Sequence, residues 1–567
     1  MLHQLCLCVI AARKTVSGTQ IVSITNPRFE NVKSDNYKIQ SWSSAVNAGN
    51  NSYNSTTTDL AGNTRTYDGT IDLGAYECQS APTSPVKSKI IFVKKNASGL
   101  NDGSSWTNAF AELSDALYES DNLGTVAQIW VAAGTYIPTR LVGSGRNEGD
   151  KSFVLQKDVA IYGGFAGTES SLSQRNWANN PTVLSGNNTM FHVIVSAGDA
   201  GTAVLDGFSV TAGTGATYGN NTINTYSIEW SCGGGIYCHA SSPTLSNLKI
   251  YSNSCILNGA AVYCTANSAP TIINSVIYKN TASQNSGGVY SDNSNPVLIN
   301  CTVANNAGQY SGAGVNGTAT VKNTIIWNNT IGGSPNNTNG SVTFNYSLVQ
   351  NGTVSGTGVI SNSDPLFIDN ANDNYRLSAT SPAKEIGNNT YVAGISNDLD
   401  KQNRISQTTV DLGAYEYIGR LYVKKGSSGS GTSWNDAYGE LGDAISAANT
   451  ANNSTAGTIN EIWVAAGTYY PLYTADGSSD NRDKVFFMSS DVKLYGGFIG
   501  TETFVSERDY VSNETVLSGD LGALNDNSDN AYHVVVYSGS AGVAELNGFT
   551  IKYGYGSDGA GKFFGGN

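Results

Sequence analysis

Apolar residues in the middle of this chain fall in short runs that return at a fixed interval. The segments SSPTLSNLKIYSN (from Ser241), SAPTIINSVIYKN (Ser268), SNPVLINCTVANN (Ser294) and the shorter TATVKNTIIWNN (Thr318) align on Asn247, Asn274, Asn300 and Asn323, at spacings of 27, 26 and 23 residues. Two positions before each asparagine stand Leu245, Ile272, Leu298 and Val321, and three after stand Ile250, Ile277, Val303 and Ile326. Five after, the column is polar: Ser252, Lys279, Asn305 and Asn328. Glycine-rich turns GGGIY (Gly233), GAAVY (Gly259), SGGVY (Ser286) and SGAGV (Ser311) separate the segments. A period this short, with two or three β-runs in it, is too short for a propeller blade and lacks the helical pattern of ankyrin or tetratricopeptide units. It predicts one coil of a parallel β-helix per period, with residues one period apart stacked about 4.8 Å apart. The predicted class is all-β: a right-handed parallel β-helix solenoid in tandem units, each opened by an amphipathic capping helix.

Stacking accounts for the asparagines. Amides at coil spacing can donate NH to the next carbonyl oxygen and satisfy turn backbone, and asparagine tolerates the left-handed geometry of tight turns. A second file, Asn253, Asn280, Asn306 and Asn329, follows six residues later. Both files read as structural ladders. Cys238 and Cys264 likewise stand one period apart, each after a tyrosine. Stacked at that distance they fit either a disulfide or two interior thiols.

A second repeat is much longer. IWVAAGTY occurs at Ile129 and again at Ile462, YGGFAGTE (Tyr162) returns as YGGFIGTE (Tyr495), LDGFSVT (Leu205) as LNGFTIK (Leu546), and IDLGAYE (Ile71) as VDLGAYE (Val410). TVSGTQIVSITNP from Thr15 matches TVSGTGVISNSDP from Thr353, so the apolar run Leu5 to Ala12 reads as unit sequence, not as a signal peptide. The predicted organisation follows. Residues 1–78 are the C-terminal part of a first unit and 79–89 a linker. A complete unit spans 90–418, with a head at 90–213, regular coils at 232–330, and C-terminal coils and tail at 331–418. Residues 419–567 are the N-terminal part of a further unit. After SSW (Ser104) or TSW (Thr432), Ala109, Phe110, Leu113, Ala116 and Leu117, matched by Ala437, Tyr438, Leu441, Ala444 and Ile445, have helical spacing. They predict a Ser- or Thr-capped helix covering the open first coil, with IWVAAGTY as the first strand beneath it.

Composition agrees with a turn-rich β-protein: Gly is 64 of 567 residues, Tyr 31 against 16 Phe and 8 Trp, and Pro only 12. A net charge of −13 without a basic stripe argues against nucleic acid as a partner. No stretch is long and apolar enough for a membrane span.

The GGGIY, GAAVY and SGGVY turns, followed by IYSN, IYKN, VANN or IWNN, resemble the GGA(I/V/L) and FxxN motifs of polymorphic outer-membrane proteins, a β-helical adhesin family, with Ile or Val where that motif has Phe. The wider pattern from VKK and SW through IWVAAGTY, YGGF and TVLSG to DLGAYE is similar to right-handed parallel β-helix surface proteins of Bacteroidetes-type bacteria. The resemblance implies an extracellular or cell-surface, outer-membrane-associated protein and supplies no activity.

Parallel β-helices also carry polysaccharide lyases and hydrolases, which need grouped carboxylates or Ca²⁺-binding aspartates with a base. Between Gly233 and Asn329 the acids number one, Asp292, which reads as a solvated turn residue, and Asp199, Asp206 and Glu229 share no column with it. His192 and His533, in FHVIV and YHVVV, read as structural. The loop SGDLGALNDNSDNAYH (Ser518) offers Asp520, Asp526 and Asp529 as Ca²⁺ ligands, while its counterpart SGNNTMFH (Ser185) is eight residues shorter and lacks them. No other cofactor is indicated. The reading is therefore a non-enzymatic adhesin or scaffold contacting glycans, host matrix or neighbouring cells. The alternative is a carbohydrate-active enzyme of the pectate-lyase-like type, with its site in the loop carrying Tyr218, Tyr226, Glu229 and Trp230, whose rings could stack on sugars.

Overall fold

The structure is a computed structural model that describes residues 27–31, 35–41, 43–80, 87–350, 354–406, 408–454, 459–474, 477–488, 492–502, 505–523, 526–537 and 544–556. The apolar run at Leu5, the match from Thr15, most of the linker and the end of the last unit lie outside them. The chain divides into two compact units, Met1–Glu416 and Tyr417–Asn567.

The first unit is a right-handed parallel β-helix. Each coil contributes one strand to each of three long sheets, as in Thr244–Ser246, Lys249–Tyr251 and Val262–Thr265, with a two-residue strand, Ser254–Cys255, at one corner. Among the described residues these sheets have ten, nine and seven strands, all parallel. The register joins residues one period apart: Leu245 to Ile272, Ile272 to Leu298, Leu298 to Val321, and Ile250 through Ile277 and Val303 to Ile326. All eight are fully buried and run as two apolar files along the axis. With about 0.8 kcal/mol for each buried methylene, such files supply the main drive for stacking coils.

Asn247, Asn274, Asn300 and Asn323 turn the chain between the first and second sheets, with φ of 53°, 48°, 51° and 46°. Asn253, Asn280, Asn306 and Asn329 form a continuous amide ladder: each Nδ2 donates to the next Oδ1 at 3.0, 2.9 and 2.8 Å, and Asn337 extends it at 2.8 Å. Each Nδ2 also donates to backbone carbonyls, as Asn280 does to Ile250 and Tyr278.

Two details of the head differ from the sequence reading. Helix α1, Leu113–Leu123, starts at Leu113 because Phe110 makes a parallel bridge with Val93 and so stays extended. No side chain caps it, its N-cap being Glu112, although Leu113, Ala116 and Leu117 do pack into the core cluster with Ile91, Val93 and Ile129. The first strand of the long sheet is Lys89–Val93, and Val126–Ala132, which holds IWVA, is the second. The tryptophan of SSW has another task. Trp106 closes over Trp130 and Phe165, which stack at 4.8 Å, and its indole NH donates to the Glu169 carbonyl.

The second unit, described by itself, repeats this head. Helix α2, Leu441–Ser454, follows a turn capped by Ser433, whose hydroxyl accepts from the Asp436 NH. Trp463 stacks on Phe498 at 4.6 Å under Trp434. Tyr136 and Tyr469, fully buried, donate their hydroxyls to the carbonyls of Ala132 and Ala465, each at 3.0 Å. IWVAAGTY is thus written twice because its inward isoleucine, outward tryptophan, tight glycine (φ 143° and 149°) and buried tyrosine each fill a fixed place in a unit's opening coils.

After the last coils, residues 365–416 return as a strap along the corner made by the first asparagine file. Asn274 Nδ2 donates to the Asn397 carbonyl at 2.7 Å, Asn323 exchanges two hydrogen bonds with Asn388, and Trp177 Nε1 donates to the Leu399 carbonyl. That file therefore anchors the strap as well as stacking. Residues 27–78 have the same internal frame: Asp59, Arg65, Asp72 and Glu77 bond to one another and to the backbone as Asp398, Arg404, Asp411 and Glu416 do. Their outer faces differ, since Leu60 is 65% exposed where Leu399 is buried. Arg28 in this earlier strap pairs with Asp121 at 2.9 Å, at the end of α1.

Candidate functional site

The third sheet turns its outward residues toward an antiparallel hairpin, Asn220–Ile223 with Tyr226–Glu229, that folds over the coils. The hairpin holds because Ile223 and Ile228 are buried with Val195, Tyr237 and Tyr263. Between hairpin and sheet lies an open groove of about 420 Å³, lined chiefly by Asn220, Glu229, Tyr237, His239, Tyr263 and Asp292, with Gly219, Ser227 and Thr265.

This gathers residues that sequence reasoning kept apart. Glu229 lines the groove, and Asp292, read above as a lone turn residue, lines it too. Asp292 Oδ2 accepts from Tyr263 OH at 3.4 Å and Thr265 Oγ1 at 3.3 Å. Glu229 Oε1 accepts from Ser231 Oγ at 2.9 Å. His239 packs on Tyr226 with centroids 5.1 Å apart; its Nδ1 is buried without a hydrogen-bond partner, and burial lowers the ring's pKa. Burial raises the Tyr237 and Tyr263 hydroxyls, with the Glu229 and Asp292 charges acting in the same direction. The missed signal was the tyrosine column Tyr237, Tyr263 and Tyr290, one per glycine turn, stacked at 5.0 and 5.8 Å.

The aromatic candidates border the groove without lining it. Trp230 packs on Phe191 at 5.0 Å and Tyr226 on His239 at 5.1 Å, contacts that hold the hairpin against the coils. Tyr218 is 65% exposed beside the groove residue Gly219. Asp206 is also not isolated: it meets Arg175 at 2.6 Å and accepts from Ser246 and Asn247. Chemically the groove is rich in acceptors and hydroxyls, and no lysine or arginine lines it. It suits the hydroxyl groups of a neutral ligand and repels polyanions.

Cys238 and Cys264 pair in register and are fully buried, and both are free thiols, so the disulfide alternative gives way to the stacked interior pair. The hydrogen bond between them, with burial, raises the Cys264 pKa. Asp520, Asp526 and Asp529 do not converge as three: Asp526 spends a carboxylate oxygen on Ser528 N and Oγ. Among the described residues the acids that do converge are Glu385, Asp411 and Glu416, where Arg404 already meets Glu416 at 2.6 Å.

His192 is fully buried, with Nδ1 3.0 Å from the Gly233 carbonyl, and burial lowers its pKa to about 4. The folded state therefore keeps it neutral while the unfolded chain protonates below pH 6.5, so its contribution falls as pH drops from 6.5 to 4, by roughly 3 kcal/mol. Buried acids slope the other way, so the expected result is a difference: the stability gap between wild type and His192→Gln, from urea titrations, narrows by that amount over this window.

Among the described residues no helix is long and apolar enough to cross a membrane. No family model and no curated protein matches the sequence. Among solved structures, the crystal structure of pectate lyase Pel9A is similar, with 15% identity and a TM-score of 0.32 over 59% of this chain and 97% of that one.

Proposed function

We propose that this protein is a non-catalytic β-helix scaffold of the bacterial cell surface that holds neutral glycan chains in the groove between the hairpin and the third sheet. The observation that carries the reading is the lining: two carboxylates, a histidine, tyrosine hydroxyls and an asparagine, with no lysine or arginine. Sugar hydroxyls donate to carboxylates and accept from tyrosine or amide donors, and tyrosine offers both a polar handle and an apolar face. The surface location rests on the resemblance of the glycine turns and IYSN-type segments to outer-membrane adhesins. Binding to an array of neutral and acidic glycans, read with wild type and with the exposed-site variant Asp292→Ala, tests it. Retention of neutral glycans that drops at least about tenfold in the variant is expected, the loss of one or two charge-assisted hydrogen bonds. Retention only of uronate polymers, or none, overturns it.

A second reading has one specific support, the presence of Glu229 and Asp292 in one groove. Two carboxylates flanking a glycosidic bond are the machinery of glycoside hydrolysis. Release of reducing ends from a neutral polysaccharide, abolished in Glu229→Gln, would replace the scaffold reading with this one.

A further inference from the structure

The outward residues of the third sheet form a file along the coil axis, and the file changes character at the hairpin. In register from coil to coil it reads Val195, Tyr237, Tyr263, Tyr290, Asn316 and Asn339. In the file beside it, Ala197 precedes His239 and Thr265. Val195 is fully buried and Ala197 7% exposed, both packed with Ile223 and Ile228 of the hairpin. Asn224 at the hairpin's tip fastens it there, its Nδ2 donating to the Ala197 carbonyl at 3.1 Å. The strand Asn220–Ile223 is tied in turn to residues 142–144: the Ser144 NH donates to the Thr222 carbonyl at 2.9 Å, and Asn221 Nδ2 to the Val142 carbonyl at 2.8 Å.

Along the axis the groove is therefore closed on one side and open on the other. Toward the earlier coils its floor turns apolar at Val195 and Ala197, under the hairpin. Toward the later coils the cover falls away: Tyr237 is 2% exposed and Tyr263 6%, whereas Tyr290 is half-buried and Asn339 exposed. Tyr290 stacks on Tyr263 with the rings 14° from parallel, so their hydroxyls follow one another along the axis about one coil apart. Burial raises the Tyr290 pKa and the Asp292 charge adds to it, as expected for a hydroxyl near the groove's acid. A path across the strands thus meets a hydroxyl or amide on every coil. A path along them soon runs out, since a strand such as Val262–Thr265 has four residues and turns half of them inward.

We propose that the groove takes the end of a linear neutral glycan, its terminal sugar against the hairpin beside Glu229 and Asp292 and its chain leaving along the coil axis over Tyr290 toward Asn339. The inference rests on the glycan reading above and adds which part of the polymer is recognised. A wall on one side accepts a chain end and stops a chain that would run through. The sugars that follow the first meet the Tyr290 hydroxyl, which can donate and accept, and then the Asn339 amide. Tyr290 is on this account a specificity-determining residue: it adds affinity for chains long enough to reach it.

The test titrates the full chain, in a calorimeter, with a linear β-1,3-glucan, amylose, a linear mannan, a linear xylan and any other linear neutral polymer that the array retains. Each is used intact and after partial hydrolysis to short chains. For a polymer that binds, the protein taken up per gram should rise in proportion to the number of chains, because hydrolysis multiplies ends and not internal sites. Tyr290→Phe keeps the ring and its stacking and removes only the hydroxyl. It should weaken binding of that polymer's hexasaccharide by about three- to tenfold, the loss of one hydrogen bond, and of its disaccharide by less. Uptake per gram that hydrolysis leaves unchanged, or equal losses at the two lengths, overturns this inference and leaves the glycan reading standing. No binding of any neutral polymer, intact or cut, overturns the glycan reading itself and this inference with it.

Discussion

Replacing Asn306 by leucine is expected to destabilise the first unit by about 4–6 kcal/mol, the largest effect of any single polar side chain in the coils. Leucine matches the volume but not the bonding. Asn306 Oδ1 accepts from both the backbone NH and Nδ2 of Asn280, and its Nδ2 donates to Asn329 Oδ1 and to the carbonyls of Ile277 and Ala304. All of these groups sit where neither water nor a strand ladder reaches, and each buried orphan costs about 1–3 kcal/mol, partly relieved by local adjustment. Asn306→Asp keeps the acceptor and loses the donor, so it should cost less at pH 4, where the carboxyl can protonate, than at pH 8. Scanning calorimetry of the variants checks both. A drop below about 1 kcal/mol for Asn306→Leu, the size of one exposed hydrogen bond, would mean that the ladder follows the coils and does not hold them.

The second large effect concerns the strap. Arg404 is 1% exposed, meets Glu416 at 2.6 Å and donates to the carbonyls of Asp411 and Gly413. Burial pushes the Glu416 carboxyl up, and the Arg404 charge beside it acts in the opposite direction. Arg404→Met removes that opposition and leaves three acceptors unanswered, an expected loss of about 3–5 kcal/mol. Without the guanidinium, Glu416 folds as a neutral carboxyl. A carboxyl with a raised folded pKa loses stability as pH rises above its unfolded value, so the penalty should be smaller at pH 5 than at pH 8. Arg65→Met, at the matching place in the earlier strap, should cost less, because that pair is longer at 3.4 Å and its arginine side chain is 10% exposed. Urea titrations at the two pH values measure the difference; equal penalties would show that Glu416 is not the group released.

How far the fold was legible follows from what each feature depends on. Stacked coils are legible because the same contact is written four times, at Leu245, Ile272, Leu298 and Val321, and once per coil the pattern repeats its evidence. The start of α1 was not, because Phe110 belongs by spacing to a helix and by pairing to Val93, and the non-local partner wins. The strap was invisible for another reason: its anchors on the asparagine file are the carbonyls of Asn397 and Asn388, backbone groups that carry no residue signature. The groove needed a hairpin to bend over three coils before Glu229 and Asp292 could share a space. Of its members only the tyrosine column was periodic, and its meaning depended on which way the third sheet faced.

Each repeat of the central region meets the next through like apolar and amide contacts, so the stacking by itself sets no number of turns. The strap sets the limit instead: it is tied to Trp177 through Leu399 and to Asn274 and Asn323 through Asn397 and Asn388, so duplicating or deleting one period would pull these anchors out of register. The length of the returning strap, and not the stacking of the coils, therefore fixes how many turns this unit can hold.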